Sequence, residues 1–161
     1  ALEHKDSTGN DTVIKPGEVQ RMSAGKGIQH SEKNHFKDKP THFLQIWIMP
    51  DKKGINPGYD QKSFSNDFAC SDLILVASEN GRNNSVTINQ DVDMYAAKAQ
   101  DDGEKNIKTF PHRHLWVQVV SGDVTVDDTA LKTGDGAGIT EVQNLKLKWT
   151  KGSEFILLDL P

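Results

Sequence analysis

The feature of this sequence that most limits its fold is a series of short apolar runs, each closed by a turn signal. Leu145 to Trp149 and Val124 to Asp127 alternate apolar and polar residues, which is typical of half-buried strands. Turn-forming pairs, among them Asn80-Gly81 and Thr133-Gly134, separate such runs. Many short strands with regular punctuation predict an all-β sandwich or barrel.

Some runs are more continuously apolar and predict strands that are covered on both sides. These runs are Phe43 to Met49, Leu73 to Ala77, Leu115 to Val120 and Phe155 to Leu160. Asp93 to Gln100 contains the helix-favouring residues Ala and Lys. We nevertheless interpret this segment as a strand.

A weak internal repeat indicates how the strands are organised. Asp6 to Gly9 forms a polar turn before Val13 to Glu18, and Asp127-Asp128 precedes Ala130 to Asp135 in the same way. Both copies predict a hairpin, a short strand and then a turn made of glycine and an acidic residue. A once-repeated β unit indicates two related barrels.

Charge and hydropathy exclude some classes of partner. The chain has 19 Lys and Arg against 23 Asp and Glu, which argues against direct nucleic-acid binding because phosphates require a cationic face. No apolar run approaches the roughly 18 residues that a membrane helix needs, and no signal-peptide pattern is present. We therefore expect a cytoplasmic protein without a membrane partner.

The single cysteine, Cys70, is predicted to be a buried, inert thiol.

The best local motif for chemistry runs from Gly25 to Glu32 and ends in His30-Ser31-Glu32. If Ile28 to Glu32 is a strand, His30 and Glu32 face the same side, with Cα atoms about 6.5 Å apart. An imidazole and a carboxylate that project together suit a first-row divalent metal. Two ligands alone do not hold a metal against water, so the alternative is a rim histidine hydrogen-bonded to an acid.

The remaining histidines give weaker indications. His112-Arg113-His114 would place two imidazoles on one face of a strand, but a structural role is the stronger interpretation. His42 directly precedes the apolar run from Phe43 and is predicted to pack against other side chains in the interior. His4 and His35 are predicted to face solvent.

Several strings resemble the pirin family of bicupins over essentially the whole chain. They include Glu3-His4-Lys5-Asp6-Ser7, Met22-Ser23-Ala24-Gly25, Gly27-Ile28-x-His30-Ser31-Glu32, Gln45 to Pro50 and Leu157 to Pro161. The likeness is to bacterial members described as quercetin 2,3-dioxygenases. It implies two cupin barrels, with residues 1–60 as the remainder of an N-terminal cupin and residues 61–161 as the C-terminal cupin. The last strands are expected to pack back on the first barrel.

The resemblance also implies a site. The family holds an iron-type centre with an H-P-H segment and an H-S-E segment, and only the second is matched, by His30 and Glu32. These two residues are therefore the expected metal ligands, and Glu32 is also the expected catalytic base. Because no H-P-H segment is present, we expect a first barrel shortened at its N-terminus. Its cofactor would be Fe²⁺ or another divalent first-row metal, or the chain would hold none.

Two functions follow as alternatives, and enzymatic activity stays open between them. The first is metal-dependent dioxygenation of a flavonol such as quercetin, impaired in a chain with half of the ligands. The second is a non-enzymatic interaction or regulatory module. Missing strands would leave an exposed barrel edge, so we also expect a homo-oligomer.

Overall fold

The computed structural model describes residues 1–70 and 72–161, which form fifteen strands and two short 3₁₀ turns, Asp67–Ala69 and Arg82–Asn84. The predicted all-β class is confirmed. No helix within those residues has the length and apolar character needed to cross a membrane. In chain order the strands are β1 (Leu2–Asp6), β2 (Asp11–Ile14), β3 (Glu18–Ser23), β4 (His30–Asn34), β5 (Gly58–Ser63), β6 (Ile74–Ser78), β7 (Val86–Thr87), β8 (Asp93–Lys98), β9 (Gly103–Lys108), β10 (His114–Ser121), β11 (Asp123–Val126), β12 (Thr129–Lys132), β13 (Gly136–Ile139), β14 (Asn144–Trp149) and β15 (Glu154–Leu160).

Two sheets form the C-terminal part of the fold. One has the order β13-β10-β15-β8-β6-β7 and the other the order β12-β11-β14-β9. Alternate residues of β14, namely Leu145, Leu147 and Trp149, are buried and pack with residues of the larger sheet such as Leu157. The alternating pattern predicted for this strand is therefore confirmed, and it builds the main core because every second side chain points inward.

The larger sheet is covered on its second face as well. Leu158 and Leu160 of β15 point away from the main core and pack against a second cluster that contains Phe64 and Val76. Val19 of β3 packs against the same cluster. This two-sided burial explains the continuous apolar character of the runs at β6 and β15. The predicted division of the chain after residue 60 stays a prediction.

The strand predicted over Phe43 to Met49 is wrong. This segment has no strand structure, and its side chains are mostly in solvent, with Trp47 at 87% and Met49 at 77% exposure. No strand among residues 1–70 and 72–161 pairs with it, so its backbone lacks the ladder that would make it a strand. We call residues 43–49 the apolar segment.

The other uncertain segments are strands. β8 covers most of Asp93 to Gln100, so the strand interpretation is confirmed there. β10 covers the run at Leu115, but only Leu115, Val117 and Val119 are fully buried and Trp116 is exposed. The prediction that this run is covered on both sides is therefore wrong, because β10 buries only one of its faces.

The internal repeat is visible in two equivalent turns. In Lys15 to Glu18 and in Lys132 to Asp135, the acidic side chain accepts a hydrogen bond from the backbone of the first residue, at 2.8 and 2.9 Å. The acidic residue's own N–H donates to the first residue's carbonyl in both turns. The third residue is a left-handed glycine each time, Gly17 with φ +82° and Gly134 with φ +89°.

Two glycines provide a matched test of the packing around the turns. Gly122 and Gly134 both have positive φ, but a Cβ on Gly122 would lie 2.8 Å from the Cα of Ser153, whereas one on Gly134 would meet nothing within 4 Å. Both alanine variants suffer backbone strain of about 1–2 kcal/mol. Gly122→Ala should lose a further 1–3 kcal/mol, roughly, because overpacking forces backbone shifts. Equal losses in the two variants, measured by urea unfolding, would contradict this packing.

Arg113 ties the start of β10 to the end of β15. Its Nε donates to Asp159 Oδ1 at 2.7 Å and its Nη1 donates to Asp91 Oδ2 at 2.6 Å. The side chain is largely buried, at 12% exposure. Burial alone would lower the pKa of Arg113, but the two carboxylates outweigh it and raise that pKa. The His112-Arg113-His114 motif thus contributes an ion-pair network to the fold.

Removing this guanidinium should destabilise the fold. We expect Arg113→Ala to lower the free energy of unfolding by about 2 kcal/mol, because Asp159 then loses charge-assisted hydrogen bonds in a largely buried position. Lys132→Ala is the control, since Lys132 pairs with Asp123 in solvent, and such pairs contribute little. Chemical denaturation of both variants checks this, and a loss in Arg113→Ala no larger than in the control would contradict it.

Candidate metal centre

The candidate site lies on one face of the pair formed by β1 and β4. In this antiparallel pair, His4 is opposite Glu32 and Asp6 is opposite His30. Residues two apart on a strand point to the same side, and directly opposed residues share a face. The register therefore brings His4, Asp6, His30 and Glu32 together as two facing rows.

The distances show how closely the donor atoms converge. Glu32 Oε1 lies 3.6 Å from His4 Nδ1 and 3.9 Å from His30 Nδ1. One donor atom from each of these three residues lies within 4.8 Å of the others. His30 and Glu32 thus lie on one side of a strand, as the spacing predicted, although the strand begins at His30 instead of at Ile28.

The site is closed at one end and open at the other. His4 is fully buried, whereas the side chains of Glu32 and His30 are 18% and 30% exposed. The prediction that His4 faces solvent is wrong. β1 is the central strand of a sheet with the order β2-β1-β4, and its alternate residues Leu2, His4 and Asp6 point inward. The period of two in this strand, and a His-x-Asp spacing that mirrors His30-x-Glu32, could have indicated this position.

Asp6 anchors the buried end through a dense set of hydrogen bonds. Thr8 donates to Oδ1 from its backbone N at 2.9 Å and from its hydroxyl at 2.7 Å. Asn10 donates from its backbone N to Oδ1 at 3.2 Å and from its side-chain amide to Oδ2 at 2.8 Å. Burial alone would raise the pKa of Asp6, but the hydrogen bonds from Thr8, Asn10 and His4 outweigh it and hold that pKa well below its usual range.

His4 is held between this carboxylate and the open end of the site. Its Nε2 lies 3.2 Å from Asp6 Oδ2. Its Nδ1 is buried and has no hydrogen-bond partner. The ring centroid lies 5.6 Å from that of His30 and 5.1 Å from that of Tyr59, so two further rings flank the imidazole.

Tyr59 forms the wall beside His4. Its hydroxyl lies 2.6 Å from Thr12 Oγ1 and donates to Gln61 Oε1 at 2.5 Å. Burial raises the pKa of Tyr59 above its ordinary value, so the phenol is neutral at physiological pH. This neutral ring lies against the buried imidazole of His4.

The other predicted histidines lie away from this cluster. His112 and His114 are both exposed, and His112 stacks on Phe110. His42 is exposed, so its predicted packing is wrong because the segment that follows it is not a strand. His35 faces solvent as predicted, and its Nδ1 lies 2.9 Å from Glu3 Oε1.

Cys70 also departs from its prediction. The thiol is exposed, not buried, because Cys70 ends the short 3₁₀ turn Asp67–Ala69 at the surface. Across residues 1–70 and 72–161, His4, His30 and Glu32 form the one convergent group of three His, Cys, Asp or Glu residues.

Comparison with known proteins relates this site to a family. Residues 1–48 match the pirin family, and residues 75–160 match the family described as the quercetinase C-terminal cupin domain. Quercetin 2,3-dioxygenase of Escherichia coli K12 is 38% identical over 160 residues, which is 99% of this chain and 68% of that protein.

Solved structures give the same result. The crystal structure of YhhW from E. coli superposes with a TM-score of 0.92 at 38% identity, covering 99% of this chain and 67% of that one. The structure of the bacterial pirin YhhW in complex with nickel(II) superposes with a TM-score of 0.91 at 37% identity, covering 99% and 68%. The two domain matches and the whole-chain identity agree, and the chain belongs to the pirin family of bicupin proteins.

Proposed function

We propose that this chain forms part of a metal-dependent dioxygenase for a flavonol substrate, in which His30 and Glu32 are metal ligands. The observation that carries the proposal is the convergence of His4, His30 and Glu32 donor atoms within 4.8 Å. One relative adds support: the E. coli protein YhhW is named quercetin 2,3-dioxygenase and was crystallised with nickel(II).

The donor chemistry fits a first-row divalent ion. Imidazole nitrogen and carboxylate oxygen are the ligands that iron, nickel and related metals accept, often with positions left open for substrate and oxygen. The cluster also contains a buried ring nitrogen without a hydrogen-bond partner, on His4. A buried polar atom without a hydrogen-bond partner is costly, and a cation bound at this atom would remove that cost.

A bound ion would polarise a coordinated substrate oxygen as a Lewis acid. The protein's own contribution begins with Glu32, whose partly exposed carboxylate can accept the proton from a flavonol hydroxyl. His30 lies beside Glu32 at the open side, where it would orient the substrate. Tyr59 and the buried His4 exclude water from the inner side, which strengthens the electrostatic interactions in the site.

Metal binding is the first test of this proposal. The chain should bind one Ni²⁺ or Fe²⁺ per molecule in calorimetric titration and in elemental analysis after purification without chelator. His30→Gln and Glu32→Gln should weaken that binding by more than the roughly 10–100-fold that loss of an outer-shell partner costs. His35→Gln, on an exposed residue just beyond the same strand, is the control and should bind as the parent chain does.

Substrate binding is the second part of the same test. Quercetin should change its visible absorption when added to the nickel-loaded chain, and Glu32→Gln should abolish that change. A chain that binds no metal and no quercetin would overturn the proposal and favour the alternative, a non-enzymatic interaction module.

We also propose that the chain self-associates. The apolar segment exposes Trp47 and Met49, and β2 and β4 are the outer strands of their sheet, where a strand of another molecule could pair. Sedimentation velocity should show a weight-average mass that rises with protein concentration. A monomer at all concentrations would contradict this expectation.

A further inference from the structure

We propose that His4 is a third metal ligand of this centre, through Nδ1, and that Asp6 is the positioning residue that fixes the tautomer of His4. The inference rests on the proposed function, because it assumes that His30 and Glu32 bind the metal. It adds a residue that the H-S-E motif does not contain. It also gives the buried residues of the site defined roles, with His4 as a ligand and Asp6 as the residue that orients it.

The first step concerns the proton on His4. Asp6 accepts four hydrogen bonds from the backbone and side chains of Thr8 and Asn10. A carboxylate in such a set of donors acts only as an acceptor. The hydrogen in the contact between His4 Nε2 and Asp6 Oδ2 must therefore come from the imidazole. In the neutral ring this leaves the lone pair on Nδ1.

The second step concerns what Nδ1 faces. This atom is fully buried, has no hydrogen-bond partner and lies 3.6 Å from Glu32 Oε1. Two acceptor atoms then face each other with no hydrogen between them, which is unfavourable because His4 Nδ1 is buried away from water. A cation between them removes the conflict. A histidine that donates its other N–H to a carboxylate is the usual arrangement for a metal ligand.

The third step concerns reach. An ion bound at about 2.1 Å from two donors joins atoms up to about 4.2 Å apart. Glu32 Oε1 lies within this distance of both His4 Nδ1 and His30 Nδ1. One donor atom of His30 lies within 4.8 Å of the donor atoms of His4 and Glu32. The His30 side chain is the most exposed of the three, so a small rotation would bring its nitrogen to an ion held by His4 and Glu32. Two histidines and one carboxylate form a set that would leave coordination positions open, and the partly exposed His30 and Glu32 would border them.

The variants His4→Gln and Asp6→Asn test the two roles separately, with Ni²⁺ as the probe. His4→Gln should weaken Ni²⁺ binding as strongly as His30→Gln does. Asp6→Asn should weaken it by roughly 10–100-fold, as loss of an outer-shell partner does. His35→Gln should leave the affinity unchanged, and circular dichroism should report whether each variant is folded.

A measurement on the unmodified chain keeps the test decisive if a variant does not fold. With ¹⁵N-labelled histidine and Zn²⁺ as a diamagnetic probe, the Nδ1 resonance of His4 should shift on metal addition while Nε2 stays protonated. An unchanged Nδ1 resonance, or a His4→Gln variant that binds Ni²⁺ normally, would overturn the inference. Loss of binding only in His30→Gln and Glu32→Gln would leave the proposed function intact, whereas a parent chain that binds neither metal would overturn both.

Discussion

The register between β1 and β4 is the constraint on which the site depends. Side chains alternate along a strand, so a slip of one residue would turn His4 and Asp6 away from His30 and Glu32. Two backbone hydrogen bonds beside the strands oppose that slip, from Asp6 N to Asn10 O at 3.0 Å and from Ser7 N to Gln29 O at 2.8 Å. The turn after β1 therefore aligns both neighbours of the strand, and the geometry of the donor atoms follows from it.

Asp6 links the fold to the chemistry. The same carboxylate closes the turn through Thr8 and Asn10 and contacts His4. In the C-terminal repeat, Asp127 occupies the related turn, and its carboxylate accepts a hydrogen bond from the backbone N of Lys146 instead. The described part of that second unit brings no three metal-ligating side chains together. The repeated unit thus keeps the turn in both copies, whereas the convergent site belongs to the first.

Local patterns in the sequence predicted what depends on neighbours within one strand. The alternation of β14 and the shared face of His30 and Glu32 are of this kind. Burial of His4 depends instead on the strands beside β1 and on Tyr59 of β5, which lies against the imidazole, and no run of five residues reveals these contacts. The strand prediction for the apolar segment was wrong for a related reason. An apolar run indicates that its side chains favour burial, but it does not reveal whether a partner strand is available.

The N-terminal sheet of β1, β2 and β4 buries far fewer apolar side chains than the rest of the molecule, so less hydrophobic free energy stabilises it. Both hydrophobic clusters are built from residues 19 onward, whereas β1, β2 and β4 contribute one buried hydrophobic side chain, Leu2. Segments with few buried apolar contacts open locally at a lower free-energy cost than the core does. A ligand that binds only the closed form opposes such opening by RT ln(1 + L/Kd), which grows with the free ligand concentration L. If the proposed site binds an ion, ion binding and the persistence of the N-terminal sheet are therefore thermodynamically linked, and metal-free chain should exchange its β1 and β4 amide hydrogens faster than those of β14.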